Sequence, residues 1–410
     1  MDSFSFIAPQ HPFHGDVARF KTQFESMTQR SSLMQETDGL SEPKVRTAIR
    51  GRYLPGTGWE FRCLSLSFQF WTPLRPERFH AVTLYYSTKT GSLRYYVFPQ
   101  DPHLPLIPSH AGGNEWDVLR YIPRRRLTFR AVRSNGVEVI GKCVRTPEIT
   151  EFCDRLSKVY LAVSRSASSF SVPAAINRDA GAFYQQSMPG RELTAIMDEN
   201  NSSALLHSVG TIHRDLHELP IGDGAIWDFE EFLRDVRLAI GWISFFRREQ
   251  ETFLEEIGDL LWRQMPSVDP RQYVFCHGDF SCSQVLKEGD RWSIVDFDRC
   301  LRADPYWELA KLIAFLKYDL SLFGEMFADR AQDQSDSLER ACQAYLDGYQ
   351  QRAKKALNAK RLLWYRICFE ICYIARLFNR DRFNATSFDR AVDGIRKLTA
   401  SFRKESEDRF

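Results

Sequence analysis

Asp279, Gln284 and Asp296 place three oxygen-bearing side chains in one short stretch, FCHGDFSCSQVLKEGDRWSIVDFD, running from Phe275 to Asp298. Such a set suits phosphoryl transfer. The transition state of that reaction is loose, so a catalyst chiefly positions the reactants and neutralises charge. Asp279 would orient an acceptor hydroxyl and take its proton, and His277 opens the His-Gly-Asp turn that presents it. Gln284 and Asp296 would hold Mg2+ against nucleotide phosphates, since Mg2+ prefers hard oxygen ligands. The competing reading is structural: two aspartates that cap turns and a glutamine that faces solvent.

The flanking residues must bring these groups together. YVFC, before the turn, is apolar and β-prone. QVL and WSIVDF flank the turn KEGDR, which is a hairpin signature. A hairpin folds the chain back, so Gln284 and Asp296 meet despite the twelve positions between them. A second stretch imitates the same chemistry, with IHRDL at Ile212 to Leu216 and DFE at Asp228 to Glu230. There Leu205, Val209, Ile212, Leu216 and Leu219 recur at helical spacing. The expectation is that HRD lies on the solvated face of an amphipathic helix.

The whole chain allows such an enzyme. Its 410 residues are 43% apolar and 26% charged, enough for a sizeable core. A net charge of +2 and the lack of a long basic run argue against a nucleic-acid partner. The nine cysteines include no C-x-x-C pair, so they read as small buried thiols in a reducing, cytoplasmic setting. The first residues lack a basic start followed by an apolar run, and no stretch of 18 apolar residues occurs, so neither a signal peptide nor a membrane span is expected.

Alternation marks RYLPGTGWEFRCLSLSFQFW, HAVTLYYSTKTGSLRYYVF and DVLRYIPRRRLTFRAVRSNGVEVIGKCV as strands and hairpins. Arg52-Tyr53-Leu54-Pro55 and Arg120-Tyr121-Ile122-Pro123 are each followed by a Phe-Arg pair at the same spacing, from a duplicated hairpin or by chance. From about residue 200 the pattern is helical, except for a β-rich stretch over 273–297.

HGDFSCSQVL, IVDFD and DPYWELAKL resemble the aminoglycoside phosphotransferase and choline kinase superfamily, which has a protein-kinase-like fold. In that family the His-Gly-Asp carries the catalytic Asp, and the Asp after the hairpin binds metal. Asp304 would cap the next helix with Pro305 at its first position. Gln284, where most such loops have Asn, resembles the Gln of maltokinases, which also carry an N-terminal cap.

The resemblance implies further parts. Lys142, on the strand VEVIGKCV, would meet the nucleotide phosphates and pair with Glu151 of the following helix, Glu148 being the alternative. AFYQQSMPGREL resembles the hinge, where Gln186 and Met188 would offer backbone groups to adenine. Gln185 and Gln186 depart from the family pattern there, which leaves both ATP and GTP open. Arg125, in the turn PRRR, would touch phosphates or be a solvated basic residue. On the acceptor side the candidates are Asp298, Arg299, Glu230 and Trp364. Trp364 belongs to an aromatic stripe that also suits a core.

The expectation is thus an α+β, two-lobed, protein-kinase-like enzyme with a β-rich N-terminal cap. An arm and cap would span 1–114, the small lobe 115–190, and the helical lobe 191–410. It would use ATP (or GTP) and Mg2+ to phosphorylate a hydroxyl of a small molecule: a sugar, an aminoglycoside-like compound or another natural product. A nucleotide-binding pseudokinase and a protein kinase are the alternatives. Only six positions separate Asp298 from Asp304, too few for a peptide platform.

Overall fold

The computed structural model describes the backbone of four strands between residues 44 and 97, and then most of 100–318, 331–351, 356–377 and 385–407. The four strands are β1 (Lys44–Leu54), β2 (Gly58–Trp71), β3 (Ala81–Ser87) and β4 (Ser92–Val97). They form one antiparallel meander in chain order.

A second sheet follows, built from β5 (Trp116–Ile122), β6 (Arg126–Val132), β7 (Glu138–Cys143), β8 (Ala175–Arg178) and β9 (Ala182–Gln186), in the order β5-β6-β7-β9-β8. Its alternation is the one the sequence displays: Leu127, Phe129 and Val139 are buried while Arg130 and Glu138 are exposed. The helix α1 (Thr146–Arg165) connects β7 to β8. Residues 52–54 and 120–122 each end the first strand of an antiparallel hairpin, with Leu54 opposite Gly58 and Ile122 opposite Arg126.

The rest of the chain is helical: α2 (Ser202–His217), α3 (Phe229–Phe246), α4 (Glu251–Arg263), α5 (Pro305–Tyr318), α6 (Ala331–Gln350), α7 (Ala359–Leu377) and α8 (Ala385–Glu407). Two small sheets are set among them. One holds β10 (Arg191–Glu192), β12 (Val285–Glu288) and β13 (Arg291–Ile294); the other pairs β11 (Val274–Cys276) with β14 (Leu301–Ala303). The architecture is that of the expected α+β kinase-like fold, an antiparallel sheet region followed by a helical region with an embedded hairpin.

The apolar stripe of α2 is buried at Leu206, Val209, Ile212 and Leu216. The expected solvated HRD face is only half correct. Asp215 is half-buried and accepts from the Ser169 backbone N–H at 3.2 Å, and His213 is fully buried. A histidine can occupy the core when both ring nitrogens find partners, and here both do.

Every cysteine whose side chain is described is a free thiol. Among the described residues, no helix is long and apolar enough to cross a membrane.

Candidate active site

The buried strand β11 delivers the chain to His277, Gly278 and Asp279. Gly278 has φ +81, and a Cβ there would lie 2.0 Å from the Arg299 carbonyl oxygen, so no other residue fits this turn. Asp279 is left with a side chain 45% exposed, facing a cavity of about 450 Å3 whose lining includes Arg120, Arg125, Arg126, Asp296, Asp298 and Arg299. Burial pushes the Asp279 carboxyl up, but Lys311, 3.1 Å away, and Arg299 prevail and hold it below the usual range.

His277 does not reach this cavity. It is fully buried; its Nε2–H donates to the Val295 carbonyl at 2.9 Å, and its Nδ1 accepts from the Asp279 N–H at 3.3 Å. The expectation of His277 as a catalytic group is therefore corrected. With both ring nitrogens engaged it braces the turn.

The hairpin β12–β13 folds as its sequence suggests, pairing Val285 with Ile294 and Glu288 with Arg291. The Val295 N–H donates to the Gln284 carbonyl at 3.0 Å, which sets Gln284 beside Asp296. Both line a cavity of about 350 Å3 together with Lys142, Gln186 and Met188. Asp296 has φ 70 and ψ 49 and is alone among the described non-glycine residues in the left-handed region. That conformation is costly and persists where the surroundings impose it.

Lys142, nearly buried on β7, ion-pairs with Asp296 and lies 2.7 Å from Asp298 Oδ1. Arg126 reaches the same pair, 3.3 Å from Asp296 and 2.7 Å from Asp298. Burial opposes the charge on Asp296, but Lys142 and then Arg126 overcome it and hold its carboxyl well below the ordinary range. Asp298, with burial and the neighbouring Asp296 charge against it, is pushed up. Asp298 thus belongs to the carboxylate pair held by Lys142 and Arg126, and it also lines the larger cavity beside Asp279.

The pairing of Lys142 with Glu151 is also corrected. Glu151 is 58% exposed and ion-pairs with Arg155, four residues on along α1. Arg155 in turn donates to the Asp298 carbonyl at 2.7 Å, so α1 holds the site through an arginine. Glu148 lines the larger cavity without bonding Lys142. In the segment expected to be the hinge, the Gln186 N–H donates to the Ala174 carbonyl at 2.9 Å and is not available to a base; Met188 lies in the stretch after β9. Arg125 is exposed on the β5–β6 turn and lines the larger cavity.

Two acceptor candidates fall elsewhere. Trp364 is fully buried in α7 and donates from Nε1 to the Leu261 carbonyl at 2.9 Å. Its aromatic stripe is core. Glu230 is exposed in the first turn of α3, where it suits the helix dipole, and lines neither cavity. Arg299 does face Asp279 across the larger cavity.

Asp304 caps α5 as its Asp-Pro pair suggests, accepting from the Tyr306 N–H at 3.1 Å. The residues not singled out from sequence surround the same helix. Four positions on from Asp304, the fully buried Glu308 accepts the His277 N–H at 3.0 Å and the Gly278 N–H at 2.5 Å. His213 and His217 each place Nε2 at 3.1 Å from its Oε2. An ionised carboxylate only accepts. Both histidines therefore present Nε2–H to it and take the hydroxyl protons of Tyr345 (2.6 Å) and Tyr349 (2.8 Å) at Nδ1. The three groups lie close enough to hold a cation, but these hydrogen bonds already satisfy every one of their polar contacts. DPYWELAKL carried the signal for Glu308, since an acid at that position is part of the motif. Nothing in sequence ties His213 to it, because the two are 95 positions apart.

The family model for the phosphotransferase enzyme family (APH) matches residues 129–354, more than half of the chain. The chain belongs to this family, and it is a phosphotransferase. No curated protein matches it. Among solved structures it is similar to the aminoglycoside phosphotransferase APH(3'')-Id from Streptomyces rimosus, with 20% identity, 64% of this chain and 95% of the other covered, and a TM-score of 0.42. It is also similar to an amicoumacin kinase in complex with AMP-PNP, Ca2+ and its antibiotic (14% identity, 70% and 89% covered, TM-score 0.47). A third is the Plasmodium vivax ethanolamine kinase (10% identity, 71% and 84% covered, TM-score 0.43).

Proposed function

We propose that this protein transfers the γ-phosphoryl group of ATP or GTP to a hydroxyl of a small molecule: a sugar, an aminoglycoside-like compound or another natural product. The observation that carries this reading is the adjacency of two cavities that share Asp296. The smaller runs from the hinge past Lys142 to Gln284 and suits a nucleotide. The larger opens on Asp279 and suits the phosphoryl group and its acceptor.

In this reading the acceptor hydroxyl gives its proton to Asp279. Its oxygen bonds to the γ-phosphorus as the bond from that phosphorus to the bridging oxygen breaks, and the nucleoside diphosphate leaves. Lys142 and Arg126 neutralise phosphate charge, with Arg125 and Arg120 at the rim of the same space. A divalent cation fits the donor set of Asp296 and Gln284, which are hard oxygens beside a carboxylate pair that already draws two cations. When bound, Mg2+ would offset charge on the phosphates. Gln284 offers the same carbonyl oxygen as Asn on a stem one carbon longer, as in the maltokinase-like loop.

The short link from Asp298 to β14, which begins at Leu301, favours a small acceptor over a protein. The strands β1–β4 would be a cap within 1–114, ahead of a small lobe over 115–190 and a helical lobe over 191–410.

The test is a screen of the purified protein with Mg2+ and ATP or GTP against sugars, aminoglycosides and peptides, read by nucleoside diphosphate release. Release stimulated by a small hydroxyl compound is expected. Stimulation by peptides alone would overturn the small-acceptor assignment.

A further inference from the structure

One face of α5 grips the catalytic turn with two opposite charges. Glu308 takes the N–H groups of His277 and Gly278. One turn later, Lys311 Nζ donates to the Gly278 carbonyl at 2.6 Å and to Asp279 Oδ1 at 3.1 Å. The stem of Lys311 runs beside Trp307, with Nζ 5.4 Å from the ring centroid, and its side chain is only 16% exposed. Such a lysine has lost most of its rotamer freedom. Asp279 Oδ2 takes no hydrogen bond from any described residue.

We propose that Lys311 is a positioning residue for phosphoryl transfer: its ammonium fixes the Asp279 carboxylate against the Gly278 carbonyl and leaves Oδ2 as the oxygen that receives the acceptor proton. The inference rests on Asp279 being the base.

The geometry distinguishes two effects of one contact. A carboxylate bonded through Oδ1 cannot rotate freely, so the open oxygen keeps one direction, and orientation of this kind is a large part of catalysis. A cation beside the carboxylate also keeps it charged at lower pH. Other charges lining this cavity are Arg120, Arg125, Arg126, Arg299, Glu148, Asp296 and Asp298, and the His277 ring accepts the Asp279 N–H behind the turn. No ion pair joins any of them to Asp279, so Lys311 is its one direct salt-bridge partner among the described residues.

The experiment titrates Asp279 in the full-length protein, labelled with 13C at aspartate carboxyls and assigned by the signal lost in Asp279→Asn. The expected result is that Lys311→Met moves the Asp279 titration to higher pH, while Lys311→Arg restores it toward wild type. ADP release from Mg-ATP with water as acceptor should fall about tenfold in Lys311→Met at pH 6 and less at pH 8. A titration unmoved in a Lys311→Met protein that still gains thermal stability from Mg-ATP overturns the proposal. Wild-type turnover by Asp279→Asn would instead refute the base assignment, whatever the titration shows.

Discussion

The backbone N–H of Val295 donates to the carbonyl of Gln284 at 3.0 Å, and this single bond sets a glutamine side chain next to Asp296 across the mouth of a hairpin. Gln284→Ala removes the side-chain oxygen and leaves that backbone bond intact. Nucleotide affinity should fall about tenfold in the presence of Mg2+ and change little in EDTA. Calorimetric titration with ATP under both conditions checks this. Equal loss in both would mean that the side chain meets the nucleotide directly.

Asp279→Asn keeps the shape of the proposed base and removes its capacity to take a proton. Acceptor phosphorylation should drop by about 100-fold or more, with nucleotide binding within a factor of two or so of wild type. Product release measured beside a binding isotherm separates the two.

Acid should unfold this protein in a defined window. Burial, and next the neighbouring His217, lower His213 from the usual 6.5 to about 4. Unfolded His213 therefore binds a proton between those values where the folded residue does not. Stability falls as pH drops through 6.5 toward 4 and is regained as pH rises. Glu308 is buried, yet its hydrogen bonds from His213 and His217 hold it well below 4.5, so it adds a loss of the same sign as it becomes protonated. Melting temperatures taken from pH 7.5 to 4 should decline, and His213→Asn should flatten the part of the curve above pH 4.

Glu308→Ala leaves two backbone N–H groups of the His-Gly-Asp turn and two histidines without their acceptor. Removing one member of such a buried network costs about 3 kcal/mol or more. Denaturant unfolding should show this loss, and Glu308→Asp should not recover it, because a shorter stem cannot span to both histidines and the turn.

Trp364→Ala should destabilise by about 3–5 kcal/mol through the cavity it leaves, with KM for the acceptor unchanged in whatever protein remains folded at low temperature. A selective rise in that KM would restore Trp364 to the acceptor site.

The hairpin, the His-Gly-Asp turn and the capped helix at Asp304 were legible because each depends on neighbours in the chain: a turn tetrapeptide, an alternating run, an Asp-Pro pair. What escaped was long-range or rotameric. Glu151 stands at the right turn of α1 but meets Arg155 first, since residues four apart on a helix are closer than a strand across the cleft. Arg126 and Arg125 are adjacent in sequence. Strand alternation turns Arg126 toward the Asp296–Asp298 pair, whereas Arg125 sits on the turn itself. His213 looked polar by type and proved to be core, because its partners Tyr345 and Glu308 arrive from helices more than 90 positions away.

The left-handed backbone at Asp296 also determines which chemical probe of that carboxylate is cleanest. Asparagine tolerates this conformation as well as aspartate does, whereas alanine would pay for it and glycine would relax it. Asp296→Asn thus changes one charge and nothing in the main chain. Any activity it loses measures the electrostatic worth of a single oxygen, free of the conformational penalty that usually blurs such a substitution.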